Sequence, residues 1–182
     1  MEKITIGSRH VCQNAGFVRR LVLVSHQEVE YLPDPALLLG HTQPQLLPMG
    51  DIGFAADAQA HAFNFEYKSC QYALTENMTA DGPLYLLSLQ GNLPKLAESV
   101  TQALEKDRNR RWVAFFQDHN QNYYVAGTPD YPLTLTYSQS ITDQNTSRVF
   151  LQGRTPQAPY NTDALPTNLY RYFSSGFERT FL

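Results

Sequence analysis

The chain has 182 residues, of which 42% are hydrophobic, 17% charged and 12% aromatic, and its formal net charge is -3. An acidic balance argues against nucleic-acid binding, because affinity for phosphate needs a concentrated basic face. No apolar run approaches the roughly 20 residues that span a bilayer, so no membrane span is expected and we expect the protein to be cytoplasmic at synthesis.

The length and composition predict a single domain over residues 1–182. In the first third of the chain, the sequence predicts strands and one long loop. Residues 17–24 form an apolar run that is typical of a strand buried mainly on one side, and Val29 and Tyr31 are expected to pair back on it. Residues 32–60 contain four prolines and three glycines, which predicts a long proline-rich loop. Its leucines either contact a partner or pack back on the parent domain, and the sequence leaves both open. The candidate contact residues are Leu37, Leu38, Leu39, Leu46 and Leu47.

The middle of the chain predicts three strands and one helix. Residues 62–67 alternate aromatic and polar side chains, as a strand with one aromatic face would, and residues 72–76 and 84–89 also favour strands. Asn92 can cap a helix, and the apolar positions that follow it have helical spacing. We therefore expect one amphipathic helix at about residues 93–108.

The last third predicts a β-hairpin, further strands and an aromatic tail. Residues 112–116 and 123–125 contain strand-forming residues on either side of a polar cluster rich in turn residues, at 118–122. Antiparallel strands are expected at residues 133–137 and 149–151. Residues 160–182 form the aromatic C-terminal tail, which we expect to serve in assembly or docking because exposed aromatic clusters are avoided by monomers. Its aromatic residues include Tyr170, Tyr172, Phe173, Phe177 and Phe181.

The residue types that carry chemistry are scattered. The histidines lack metal-ligand spacing, the two cysteines lie far apart, and no glycine-rich phosphate loop is present, so no metal, cofactor or small-molecule substrate is predicted. The neighbours Asp118 and His119 leave open an enzyme whose site is assembled only by the fold, for example with a serine. A carbohydrate-binding β-module also stays open, since aromatic rings stack on sugars. Its platform would consist of Trp112, Tyr123, Tyr124, Tyr131 and Tyr137.

Four stretches together resemble tail-tube-like structural proteins of bacteriophages, prophages and related contractile injection particles. They are residues 12–16, 63–67, 111–127 and 150–153. The chain departs from that pattern where Gln121 takes the place of a turn glycine and Ala15 that of a first glycine.

The resemblance implies an α+β fold, a mostly antiparallel β-sandwich or open barrel with one flanking α-helix. It also implies a non-enzymatic structural subunit that joins copies of itself and other assembly proteins by pairing strands into rings.

Overall fold

The computed structural model of the protein describes residues 17–34, 46–80, 82–93, 109–141 and 145–169, together with residues 102, 105 and 106. The strands are, in chain order, β1 (Val18–Ser25), β2 (Val29–Tyr31), β3 (Gly53–Phe54), β4 (Ala60–Asn64), β5 (Cys70–Thr79), β6 (Gly82–Leu93), β7 (Arg111–Asp118), β8 (Tyr123–Ala126), β9 (Leu133–Ile141), β10 (Asn145–Thr155) and β11 (Tyr160–Thr162). Short 3-10 turns lie at His26–Glu28, Met49–Asp51 and Thr167–Leu169.

Nine of these strands form one sheet in which every strand pairing is antiparallel, and β7 lies at its centre. One side of β7 pairs with β1, which in turn pairs with β4. The other side divides, because residues 114–117 pair with β8 whereas Arg111 and Trp112 pair with β9. From β9 the sheet continues through β10 and β6 to β5. The expectation of a mostly antiparallel, sheet-rich fold is confirmed.

The central strands β1 and β7 are buried on both faces. Leu21 and Leu23 of β1 belong to a larger core, which also contains side chains of β4, β6 and β10. Val22 and Val24 belong to a second core on the opposite face of β1. The prediction that the first strand is buried mainly on one side is therefore wrong. Alternate side chains of a strand point to opposite faces, and on each face of β1 they pack in a separate core.

The second core is covered by the segment predicted to be a proline-rich loop. Leu47 is completely buried there, and its N–H donates to the carbonyl of Asn161 over 2.8 Å. Beyond Leu47 the chain forms the Met49–Asp51 turn and β3, which pairs with β2. The expectation that Val29 and Tyr31 pair back on the first strand is thus wrong, because β2 pairs with β3 instead.

Most of the other predicted strands are confirmed, with longer bounds. The predicted segments 72–76 and 84–89 lie inside β5 and β6, and the predicted hairpin is formed by β7 and β8. The predicted strand at 62–67 ends earlier, since β4 stops at Asn64.

The predicted helix interval begins too early, because Leu93 is the buried last residue of β6. Gln102, Glu105 and Lys106 are exposed and helical in conformation, and the other residues of 94–108 lie outside the described residues. The same holds for residues 12–16 of the resemblance.

Candidate interaction surface

A two-stranded arm formed by β5 and β6 extends beyond the core. Cys70 at the start of β5 is fully buried, and the ring of Tyr72 packs 4.8 Å from that of Phe116, centroid to centroid. From Ala73 onward every residue of β5 is exposed on both faces of the strand. The strand therefore leaves the core after Tyr72 and continues as a projection supported by β6.

The outer edge of the arm has free backbone groups on alternate residues. The chain turns from β5 into β6 between Thr79 and Gly82, which lie opposite each other in the ladder. The same register places Asn92 opposite Ser69. The N–H of Asn92 donates to the carbonyl of Ser69 over 2.7 Å. Because hydrogen-bonded pairs alternate along an antiparallel ladder, the odd-numbered residues of β5 bond to β6. The backbone N–H and C=O groups of its even-numbered residues face outward, and in the part of the chain that the structure describes no strand pairs with them. These residues are Tyr72, Leu74, Glu76 and Met78.

The arm exposes two large apolar side chains. Leu74 is 41% exposed and Met78 is 76% exposed, and residues 84–86 of β6, all apolar, are half-buried. β5 contains neither lysine nor proline, the residues that commonly protect an edge strand from pairing with another chain. Its one charge is Glu76, which accepts a long hydrogen bond of 3.4 Å from the hydroxyl of Tyr85. A long edge strand with exposed apolar side chains and a single charge is a template for strand pairing.

The interaction residues predicted from the sequence lie in other segments of the chain than this arm. Leu47 packs in the chain's own core, which is the second of the two alternatives for the loop leucines. Leu46 is half-buried and forms a parallel bridge with Asn161. Residues 37–39 and all five predicted tail contacts, at 170, 172, 173, 177 and 181, lie outside the described residues. The signal for the arm was present in the run from Tyr72 to Met78, which contains one charge and no proline.

The Asp118–His119 pair lies in the turn between β7 and β8. One carboxylate oxygen of Asp118 accepts the backbone N–H of Asn122 and the other accepts its side-chain amide, each over 2.9 Å. The ring of His119 packs edge-on against that of Tyr67, with centroids 5.2 Å apart. Burial, followed by the charge of Asp118, raises the pKa of Tyr124. The carboxylate therefore holds the turn closed, a structural role that needs no substrate.

The hairpin aromatics do not form the exposed row that a sugar platform needs. Trp112 is only 1% exposed and belongs to the larger core. Tyr124 packs against that same core, whereas Tyr123 packs against the second one, so the two rings lie on opposite faces of the sheet. The structure therefore does not place these five rings together on one surface, as the alternative of a carbohydrate-binding module requires.

A small cavity of about 10 Å³ lies beside the larger core, among residues of β5 to β10. It is bounded by apolar atoms and is about the size of one water molecule. Nearby, burial raises the pKa of the Cys70 thiol well above its usual range, which keeps it protonated. Within the described ranges, no group of three histidine, cysteine or acidic side chains is placed to hold a metal ion.

Comparison of the chain with protein-family models, with curated proteins and with solved structures gave no match. The resemblance to tail-tube-like proteins therefore stays a hypothesis that depends on the residues quoted for it. Among the residues that the structure describes, no helix combines the length and the apolar character needed to cross a membrane.

Proposed function

We propose that this protein is a non-enzymatic structural subunit that associates with copies of itself through the β5–β6 arm. The class of assembly we propose is the phage tail-like or contractile-injection type, on the basis of the sequence resemblance. We propose that the protein also binds other proteins of such an assembly. The observation that carries the proposal is the outer edge of β5, where outward backbone groups coincide with exposed apolar side chains.

The exposed features of the arm suit association with another strand. Met78 and Leu74 supply apolar area, and burying such area contributes about 25 cal/mol per Å². The outward N–H and C=O groups supply directional bonds to an added strand, as in other cases of strand addition. Shape and backbone pairing are the properties that a structural subunit uses.

The finer description of the fold is part of the same proposal. We propose that the sheet closes into a sandwich or open barrel, flanked by a helix that contains Gln102, Glu105 and Lys106. The larger core supports this closure, since it unites side chains of β1 and β4 with those of β6 and β10. The short 3-10 turns and β2–β3 cover the opposite face.

The proposal is tested by measuring molar mass against concentration, using size-exclusion chromatography with light scattering. The wild-type protein is expected to gain mass as its concentration rises, and Met78→Lys is expected to shift that transition to at least tenfold higher concentration by placing a charge on the edge. Tyr131→Lys is the matched control, since Tyr131 is also a large exposed side chain, 48% exposed, but lies outside the arm. A wild-type protein that stays monomeric at every concentration, or equal effects of the two substitutions, would contradict the proposal.

A further inference from the structure

We propose that the outer face of the four neighbouring strands β9, β10, β6 and β5 binds an acidic peptide segment of a partner protein. This inference goes beyond the proposed function, because it concerns a different surface from the outer edge of the arm. It names one surface, the chemistry of one partner and the two arginines that recognise it, Arg148 and Arg154.

The second core covers only part of the sheet face that lies opposite the larger core. Its sheet residues belong to β1, β4, β7 and β8, and among its described members none comes from β9, β10, β6 or β5. In these four strands the residues that point away from the larger core are the even-numbered ones of β9, β10 and β6 and the odd-numbered ones of β5, which lie opposite one another in the ladders. We call this set the outer face. Its described side chains are exposed or half-buried, so a partner can reach them.

The outer face carries cations but no anion. Arg148 and Arg154 of β10 lie on it and are exposed, and none of its positions along the described strands holds aspartate, glutamate or lysine. The whole chain, in contrast, has 17 acidic residues and a net charge of -3. Within the part of the chain that the structure describes, neither arginine pairs with a carboxylate, whereas Arg110 pairs with Glu28. Both guanidinium groups are therefore free to bind an anionic partner.

The positions between the two arginines suit a peptide backbone. Gln90 and Gln152 lie there, and a side-chain amide can both donate to peptide carbonyls and accept from peptide N–H groups. Phe150 lies opposite Gln90 and is half-buried, so its ring supplies an apolar contact. Protein interfaces are enriched in arginine and aromatic residues and depleted of lysine, glutamate and aspartate, as this face is. Hydroxyl and amide side chains occupy most of the other positions, including Thr134, Thr136, Ser138, Ser88, Asn92 and Gln71.

The dimensions of the outer face fit a segment of chain. Arg148 and Arg154 are six residues apart along β10, which is about 20 Å, and the four strands together span about 14 Å. The resulting area of about 300 Å² is well below the roughly 800 Å² that each partner buries in a standard interface between folded proteins. An extended peptide with two carboxylates six residues apart can place one at each guanidinium group, whose planar fork binds a carboxylate through two parallel hydrogen bonds.

Charge density and aromatic content distinguish this partner from other anionic polymers. Nucleic acids carry closely spaced phosphates, about 3.4 Å apart along each strand of B-DNA, and derive their affinity from many phosphate contacts. An acidic polysaccharide would stack its sugar rings on exposed aromatic rings, whereas the ring of Phe150 is half-buried. Two widely spaced cations on a mostly uncharged polar surface fit a peptide with few carboxylates.

The experiment is fluorescence anisotropy of the full chain with a short labelled peptide, in which five serine or threonine residues separate two glutamates. The wild-type protein is expected to bind this peptide, more weakly as salt is added, and not to bind a control peptide with lysines in place of the glutamates. Arg148→Glu and Arg154→Glu should each weaken binding by about tenfold or more, because each puts a carboxylate where the peptide needs a cation. Gln152→Ala, which leaves the charge unchanged, should weaken it about two- to fivefold. Arg20→Glu is the matched control, since Arg20 is also exposed but lies on β1, and it should leave the affinity within about twofold of the wild type.

Each outcome decides the inference. Binding of the acidic peptide that depends on Arg148 and Arg154 but not on Arg20 supports it. Absence of binding at millimolar protein overturns it, and so does an equal loss from Arg20→Glu, which would show that only the net charge matters. Tighter binding of oligothymidylate or polygalacturonate, lost in the same two arginine variants, assigns the face to a nucleic acid or an acidic polysaccharide and overturns it as well. These variants leave the arm unchanged, so the dependence of molar mass on concentration tests the proposed function separately.

Discussion

Gly91 of β6 packs tightly against Phe65 in the larger core, and its replacement tests how closely that core is packed. A Cβ atom at Gly91 would lie 2.4 Å from Cε1 and 2.6 Å from Cζ of Phe65, and 3.2 Å from a methyl carbon of Val149. Phe65 follows β4, is 6% exposed and is fixed by the bond from its N–H to the carbonyl of Arg19, 2.8 Å long. The ring therefore packs directly on the backbone of β6.

Gly91→Ala should destabilise the protein by about 1–2 kcal/mol. Ordinary contact would require the ring to retreat by about 1 Å, and overpacking of this kind costs about 1–3 kcal/mol. Relative to glycine, alanine in a strand returns about 0.5–1 kcal/mol of conformational entropy, which offsets part of that cost. The buried position of Phe65 leaves the ring little room to move.

The measurement is urea unfolding of Gly91→Ala, Phe65→Leu and the double variant. Leucine is smaller than phenylalanine, so the two substitutions should be coupled, with the double variant more stable than the sum predicts by at least about 0.5 kcal/mol. Gly50→Ala is the control, since a Cβ atom there meets nothing within 4 Å, and it should change stability by no more than about 0.5 kcal/mol. A Gly91→Ala protein as stable as the wild type, or strictly additive effects, would refute the reasoning.

Two further predictions concern a strained turn and a titrating tyrosine. Gln121 is exposed and has a φ of 68°, a conformation that costs a residue with a Cβ atom about 1–2 kcal/mol. Glycine would remove that cost, but it would also stabilise the unfolded chain by about 0.4–1 kcal/mol through its greater conformational entropy, which is the smaller of the two effects. Gln121→Gly should therefore raise the melting temperature by about 1–4 °C, and an unchanged or lower value would show that the turn is unstrained. Burial first, and the charge of Asp34 second, raise the pKa of Tyr160 from 10.0 to about 12, so the folded state retains a proton that the unfolded state loses above pH 10. Stability should fall as the pH rises from 10 to 12, Tyr160→Phe should lessen that fall in melts recorded across this range, and an equal fall in both proteins would contradict the assignment.

The hairpin of β7 and β8 was predictable because its determinants are local. A polar turn cluster lies between two runs of strand-forming residues, and the expected glycine position is the one at which Gln121 adopts a positive φ. The bond from the N–H of Gln121 to the carbonyl of Asp118, 3.2 Å long, closes a turn followed by a left-handed residue. Such three-residue hairpin loops commonly place glycine there. The polar cluster at 118–122 was therefore enough to predict a turn there, whereas the glycine expected at position 121 came from the resemblance and not from the local residues.

The cover of the second core was not predictable, because it depends on contacts between distant segments. Leu47 lies in a segment rich in proline and glycine, which argues against regular structure but carries no information about burial. Its partner Asn161 is more than 100 residues away, and the N–H of Met49 finds the carboxylate of Asp163 at 2.8 Å at a similar separation. Periodicity describes one strand at a time and cannot show that a second layer lies on the other face of β1.

The arm escaped detection for a related reason. Alternating apolar residues such as Tyr72 and Leu74 are typical of a strand packed on a core, and the pattern is the same whether the cover comes from the chain or from another molecule. The structure separates the two cases, since Tyr72 packs on Phe116 whereas Leu74 and Met78 remain exposed. An unguarded apolar edge is a liability for a protein that acts alone, because it promotes uncontrolled pairing. Under the proposal that copies of the chain associate through this arm, a partner strand would satisfy the outward backbone groups and cover these side chains.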